Sequence, residues 1–268
     1  MKEKNSFIAA TFNLRRDCYC DGKRRWKHRK NAVIEVIRSI GADVLGVQEL
    51  TPKMKRDIER HLPEYRFVGR PRCGGLLSEH NDILVKRDKF TVEEEETFWL
   101  SDKPGKVGSR LAGAFYPRIC TNVRLRGVNG GCINILNTHY DHRSQGAREF
   151  ASRLIKDKLD RVGKRIPTVV MGDLNSSPDS NPLTVLLNRG KTVLRDAVKE
   201  GIAKLEDKLD NGYFTFHLFK GKTAEKGSVL DYILISPDIG VLRASAVETS
   251  VDGVLPSDHF PVVAELTF

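Results

Sequence analysis

Nowhere do the 268 residues of this chain approach the roughly 20 consecutive apolar positions that a membrane-spanning helix needs. The opening MKEKNSFIAATFNLRR holds an apolar stretch too short, and too soon broken by Asn13 and two arginines, for a secretory h-region. A cytoplasmic protein is therefore expected. Cysteine is sparse as well. Cys18, Cys20, Cys73, Cys120 and Cys132 form an odd, scattered set with one Cys-x-Cys and no Cys-x-x-Cys, which argues against a disulfide framework or a structural zinc site and for reduced thiols used in packing. Repeats, low-complexity tracts and Pro/Gly/Ser linkers are missing too, so residues 1–268 are expected to fold as one domain, with a monomer as the default.

What is present is an apolar fraction of 40%, enough for a full core, and an excess of basic residues that sets the formal net charge at +10. Such a surface raises the local concentration of anions, so nucleic acid, phosphorylated metabolites and acidic lipid surfaces are all compatible partners. Short apolar runs rich in β-branched residues recur between turn signals: SFIAATFNL, ADVLGVQEL, DILVKRDKF, ICTNVRLRG, CINILNTHY, PTVVMGDLN, VLDYILIS and PVVAELTF. Their length and composition predict strands, several buried on both faces. Helical spacing runs from Trp26 to Ile40, with Val33, Ile34, Ile37 and Ile40 on one face and Gly41 as the stop, and again over residues 145 to 162, where Phe150, Leu154, Ile155, Leu159 and Val162 precede Gly163. The acidic run Glu93 to Glu96 is placed on a solvated strand or turn. Strands outnumber helices, which points to two packed sheets flanked by helices.

Chemistry should sit where a rigid strand opens onto solvent. Six strands are read as ending in polar side chains: Asn13, Glu49, His139 with Asp141 and His142, Asp173 with Asn175, Asp231, and Asp258 with His259. Each has a plain structural explanation: Glu49 as a carboxylate before a helix, Asp173 and Asn175 as turn formers, Asp258 as a cap, His139 as a satisfied core imidazole. Six such endings in one chain are hard to ascribe to folding alone, because buried polar groups cost on the order of 1 to 3 kcal/mol each unless paired.

In order and spacing, VQE, NTHYDH, GDLN, LDYI and SDHFP resemble the endonuclease/exonuclease/phosphatase superfamily, whose fold is shared with pancreatic deoxyribonuclease and exonuclease III. The likeness runs from Phe12-Asn13 to Phe260-Pro261. It implies a four-layer α/β/β/α sandwich with the site between the upper edges of two mixed sheets. It also implies that Glu49, with Asn13 and Asp258 beside it, holds a divalent cation, Mg²⁺ or Mn²⁺, through oxygen atoms alone, which suits those hard ions. By the same resemblance Asp173 orients or deprotonates the attacking water, Asn175 steadies the nucleophile or the phosphate, His259 held by Asp231 donates to a phosphate oxygen, and His139 adds a second donor. Arg118 matches a basic position in part of the family, and Asp141 joins it as a candidate substrate contact.

The resemblance implies hydrolysis of a phosphoester by an activated water, with a phosphodiesterase or nuclease as the first expectation. The NTHYDH element and TFWL followed by YPRICT look like a bacterial branch related to deadenylases, and Val229 stands where abasic-site enzymes carry an arginine. Two alternatives remain open: a phosphatase or headgroup phosphodiesterase acting on a small phosphorylated metabolite or lipid, and an inactive binding protein of the same fold. After Asn13 come Arg15, Arg16, Lys23, Arg24, Arg25, Lys27, Arg29 and Lys30 against only Asp17 and Asp21. Lys23, Arg24 and Arg25 are candidate contacts for the flanking phosphates of a polyanion; a solvated loop is the simpler explanation of the same run.

Overall fold

Alternation with a period of two decides the architecture. In the computed structural model, which describes residues 6–75, 78–161, 166–188, 191–203, 213–223 and 227–268, strand β1 (Ser6–Asn13) turns Phe7 and Ala9 to one face and Ala10 and Phe12 to the other. All four are buried, so β1 has cover on both sides. It lies inside a sheet ordered β11-β12-β1-β2-β4-β3, with β2 (Val44–Gln48), β3 (Tyr65–Val68), β4 (Ile83–Lys86), β11 (Gly240–Ala246) and β12 (Val262–Thr267). The second sheet is ordered β5-β6-β7-β8-β10-β9, from β5 (Phe90–Trp99), β6 (Ile119–Gly127), β7 (Cys132–His139), β8 (Thr168–Asp173), β9 (Arg195–Asp196) and β10 (Asp231–Ile235).

The sheets meet through Phe7, Ala9, Val44, Ile83 and Val262 on one side and Val123, Ile135, Val169, Met171 and Ile233 on the other. Each of these side chains larger than alanine contributes roughly 1.5 to 3 kcal/mol on full burial. On the outer face of the first sheet, Phe12, Leu45 and Val47 pack against α1 (Trp26–Ile40) and α2 (Pro52–His61). On the outer face of the second, Leu136, Val170 and Leu234 pack against α3 (Gln145–Arg161) and α4 (Asn181–Asn188). The result is the expected four-layer α/β/β/α sandwich. A further helix, α5 (Ala197–Ala203), adds Ala197 and Val198 to the inter-sheet core.

The eight expected strands are all present, and α1 ends at Gly41 in the left-handed conformation (φ 60°) that favours glycine. The buried face of α3 matches the expected one at Ile155 and Leu159 and departs from it elsewhere. Ala147, Ala151, Ile155 and Leu159 face the sheet while Phe150 and Leu154 are half-buried, because small residues let the helix approach closely and bulk is displaced to the flank. Val162 and Gly163 lie outside the described residues. Strands β3, β9 and β11 were not expected, being short or interrupted by charge, whereas β5 carries the acidic run placed on a solvated strand or turn. The Glu93–Glu96 run lies on β5, at the edge of its sheet, where Arg66, Arg124, Arg126 and Lys158 pair with it. Charge along an edge strand discourages pairing with another chain. No helix among the described residues is long and apolar enough to cross a membrane.

Candidate active site

The inward-facing positions of the strands are apolar through the core and become polar at one edge. Along β7 the inward series runs Ile133, Ile135, Asn137, His139; along β8 it runs Val169, Met171, Asp173. Parallel pairing sets His139 beside Asp173, and antiparallel pairing sets Asp231 on its other side. In the first sheet Asn13 stands beside Gln48, with Glu49 next along the chain. One expectation is corrected here. Asp231 is the first residue of β10, and Asp258 and His259 precede β12; they do not end strands. They reach the same edge because β10 runs antiparallel to β8 and β12 antiparallel to β1.

Asp173 is the meeting point of the two sheets. Its Oδ2 accepts from Asn13 Nδ2 at 2.9 Å and lies 3.4 Å from His139 Nε2 and 3.9 Å from His259 Nε2. Its Oδ1 accepts from the Asn175 amide at 2.9 Å, and Asn175 Nδ2 donates to the Tyr140 carbonyl at 3.1 Å. His259 Nδ1 lies 2.8 Å from Asp231 Oδ2, and the Asp231 amide is held by Thr215 Oγ1. Burial and the neighbouring Asp231 push the Asp173 carboxyl upward against the opposing influence of His259. Burial works against charge on His259, but Asp231 overcomes it by charge and hydrogen bond, with Asp173 and Asp258 adding, and the ring is pushed up to about 10. His139 goes the other way: burial and the Arg118 guanidinium hold it well below the ordinary imidazole range. One imidazole is thus a cation and the other neutral at physiological pH.

Glu49 follows β2 in a left-handed conformation (φ 56°) and accepts from the Arg16 amide at 2.9 Å, with Asn13 Nδ2 at 3.4 Å. Burial raises its carboxyl, yet the Arg16 amide, Arg15 and His259 prevail and hold it below the usual range. Asp258 Oδ2 lies 3.7 Å from Arg15 Nη1, and its segment is pinned by Ser257 Oγ donating to the Asn13 carbonyl at 2.6 Å. Glu49 and Asp258 line the cleft with carboxylate oxygens, which suit a hard divalent cation, while Asn13 turns Nδ2 to Glu49 and its amide oxygen accepts from the Arg15 amide at 3.0 Å. Asp173, Asp231 and His259 also bring ligand atoms within 4.8 Å of one another and form a second, buried group that could hold a metal ion.

Beneath these groups lies a polar floor that sequence inspection missed. Gln48 Nε2 donates to Thr11 Oγ1 at 2.9 Å and to Asn137 Oδ1 at 2.7 Å, and Asn137 Nδ2 donates to the carbonyls of Val47 and Asp82, both at 2.9 Å. Gly46 leaves the room, since a Cβ there would meet Asn137 Oδ1 at 2.7 Å. The available signal was parity, because Thr11 and Asn137 stand two residues before Asn13 and His139. Backbone strain marks the same place. Of the six non-glycine residues with positive φ among the described residues, Arg15, Glu49, Asn175, Leu218 and Phe219 all line the cleft. Such conformations cost on the order of 1 to 3 kcal/mol each and persist where surroundings enforce them.

The cleft encloses about 530 Å³. Its walls include Arg118, 7% exposed, which has no carboxylate partner among the described residues and meets His142 Nδ1 through Nη2 at 3.2 Å. Asp141 does not line it. Both its oxygens accept backbone amides, those of Arg143 and Ser144 on one and Phe115 on the other, so it is placed to shape the loop before α3. The basic segment is divided. Arg15 pairs with Asp21, Arg16 with Glu79 and Arg25 with Asp17, while Arg29 is buried and donates to the carbonyls of Leu14, Arg15 and Pro256. Arg24 lines the cleft; Lys23 and Arg25 do not. Arg72, Glu79, Tyr116, Phe216, Leu218 and Phe219 also line it and carried no periodic signal in the sequence. Against the expectation of reduced thiols, Cys18 and Cys20 form a disulfide at the 3-10 turn Tyr19–Arg24, where a Cα separation of 5.3 Å suits the bond. Cys73, Cys120 and Cys132 are free.

The sequence profile of the Endonuclease/Exonuclease/phosphatase family matches residues 10–259, a span that runs from β1 to His259. The chain belongs to the endonuclease/exonuclease/phosphatase family. An endonuclease/exonuclease/phosphatase of Bacteroides vulgatus is 31% identical, covers 98% of this chain and 99% of its own, and superposes with a TM-score of 0.88. A mannosyl-6-phosphatase of Bacteroides thetaiotaomicron VPI-5482 is 29% identical over 98% of this chain and 100% of its own, with a TM-score of 0.86. TDP2 of D. rerio, solved with a single-stranded DNA product, shares the fold at 15% identity, with coverage of 98% and 100% and a TM-score of 0.76. No curated protein sequence matches the chain. The family and these neighbours comprise hydrolases of phosphoesters, and the cleft between the sheets has the acid, imidazole and guanidinium groups that such chemistry needs.

Proposed function

We propose that this protein is a divalent-metal-dependent phosphoester hydrolase acting on a small phosphorylated substrate, with a sugar phosphate the leading class. The observation that carries the proposal is Asp173 set between the imidazoles of His139 and His259 at the base of a cleft of about 530 Å³ whose walls carry both arginines and carboxylates. That volume falls in the range of small-molecule pockets. The unpaired Arg118 offers a charge to the phosphate, and the pairing of Arg15, Arg16 and Arg25 with acids leaves less free charge for a polymer than their number implies. The likeness to a mannosyl-6-phosphatase over the full chain supports the same substrate class.

A bound Mg²⁺ or Mn²⁺, held by Glu49 and Asp258, would supply a Lewis acid that neutralises charge on the phosphate. The protein does the rest. Asp173, its carboxyl raised toward neutrality, accepts the proton of the attacking water, and Asn175 fixes the Asp173 carboxylate through its amide. His259, kept protonated by Asp231, donates to a phosphate oxygen as charge develops; His139 and Arg118 add donors already aimed into the cleft.

The test is a panel of a hexose 6-phosphate, p-nitrophenyl phosphate, bis(p-nitrophenyl) phosphate and single-stranded DNA and RNA, with EDTA or with Mg²⁺ or Mn²⁺. Metal-dependent turnover with the monoesters preferred is expected. Full activity in EDTA would overturn the metal's role. The second candidate, a nuclease, is favoured by the net charge of +10 and by Lys23, Lys27 and Lys30, which have no carboxylate partner among the described residues. It predicts preferred cleavage of oligonucleotides, with a KM that rises steeply with salt.

A further inference from the structure

Two aromatic–arginine pairs line the cleft: Tyr116 with the Arg72 guanidinium 4.7 Å from its ring centre, and Phe219 with that of Arg24 at 5.2 Å. The second pair joins segments far apart in the chain, the turn after β1 and the turn before β10. Phe219 and Leu218 are consecutive left-handed residues, at φ 59° and 52°, a conformation that bulky L-residues rarely adopt. The turn is held firmly. The His217 amide donates to the Asp258 carbonyl at 2.9 Å, its Nδ1 accepts from the Gly221 amide at 3.1 Å, and its ring lies 4.1 Å from that of Phe260. The adjoining Phe216 ring lies 4.8 Å from His259. Phe219 is therefore set at a fixed place relative to the reacting groups, yet it is half-exposed and belongs to none of the hydrophobic cores. Folding does not account for a strained, half-exposed phenyl ring at the rim of a polar cleft.

We propose that Phe219, backed by Arg24, is the specificity-determining residue of this site: its ring packs on the carbon skeleton of a phosphomonoester's leaving group. The Arg24–Phe219 contact closes that end of the cleft to a chain continuing beyond the phosphate. This rests on the hydrolytic function proposed above. It adds a reason for a monoester with a ring-shaped leaving group to be preferred over an internal diester. Flat, polarisable aromatic faces suit such packing, and the Arg24 guanidinium beside the ring adds hydrogen-bond donors.

The test uses the full chain with Mg²⁺ and the variants Phe219→Ala, Phe219→Trp and Arg24→Ala; Arg24 is exposed, so its removal leaves the cores untouched. In Phe219→Ala the KM for a hexose 6-phosphate and for p-nitrophenyl phosphate should rise about three- to tenfold, the worth of one aromatic contact. The Ki of inorganic phosphate, which lacks a leaving group, should not move, and Phe219→Trp should recover the parent KM. In both alanine variants the ratio of kcat/KM for bis(p-nitrophenyl) phosphate to that for the monoester should increase. A readout independent of turnover is the extra thermal stabilisation by p-nitrophenyl phosphate over inorganic phosphate, which Phe219→Ala should abolish. Parent-like KM, ratio and thermal shift in both alanine variants, or an equal loss of phosphate affinity, would overturn the proposal. If the unmodified protein hydrolyses no phosphoester, the hydrolytic function fails, and the thermal shift alone decides the role of Phe219.

Discussion

Replacing Asp231 with Asn tests whether His259 acts as a protonated donor. The two groups are buried and meet at 2.8 Å, and Asp231 is the strongest influence raising His259 from 6.5 to about 10. Asparagine keeps the size and the hydrogen bond but removes the largest influence raising the ring, so its pKa falls from about 10 toward the ordinary 6.5, with Asp173 and Asp258 still opposing the fall. A ring fully back at about 6.5 would be only about 3% protonated at pH 8, which sets roughly thirtyfold as the largest loss of the competent form. The kcat at pH 8 should fall by up to that factor, with the alkaline limb of the pH–rate profile moving down from about 10. Near pH 5.5 variant and parent should converge. Stability follows the same linkage. A histidine whose folded pKa is raised contributes stability fully below its unfolded value, about 6.5, and loses it as pH rises through about 10. The deficit in Tm of Asp231→Asn should therefore be largest below pH 6.5 and shrink toward pH 10. Profiles from pH 5 to about 10.5 in Mg²⁺, with Tm by circular dichroism, measure both. Two parallel profiles separated by a constant factor would refute the assignment, since Asp231 would then only position the ring.

Glu49→Gln should weaken Mg²⁺ binding, read by metal titration of the thermal shift, and lower kcat, while metal-free stability stays near the parent's; an unchanged metal affinity would remove Glu49 from the donor set. Gly172→Ala should lower Tm by about 5 °C or more, because φ is +138° and a Cβ would meet the Thr138 carbonyl oxygen at 1.9 Å in the pairing that aligns His139 with Asp173. Thiol titration of the denatured, unreduced protein should give three reactive cysteines, Cys73, Cys120 and Cys132, whereas five would mean that Cys18 and Cys20 are reduced.

Much of this protein is legible in one dimension. Strands such as SFIAATFN and TVVMGD carry their burial on both faces in their composition, and the Trp26–Ile40 helix carries both its apolar stripe and its glycine stop. These are local properties, set by periodicities of two and about 3.6 residues and by the conformational freedom of glycine. The ordered motifs around Glu49, His139, Asp173, Asp231 and His259 also mark the cleft, because polar residues next to core strands stand out against an apolar background.

Tertiary structure alone decided the rest. That Asp231 begins a strand and His259 precedes one, yet both share an edge with Asp173, depends on antiparallel pairing between segments 58 and more residues apart, as the Asp173–Asp231 register shows. Whether an arginine is free or paired depends on which acid the fold brings beside it: Arg15, Arg16 and Arg25 look alike in sequence, but Asp21, Glu79 and Asp17 neutralise them, and Arg118 is left with none among the described residues. The opposite protonation of His139 and His259 has the same origin. Each is a histidine at the edge of a core strand, and only the charge brought against it, a guanidinium for one and a carboxylate for the other, sets its proton, because electrostatic energy depends on distance in space and not along the chain.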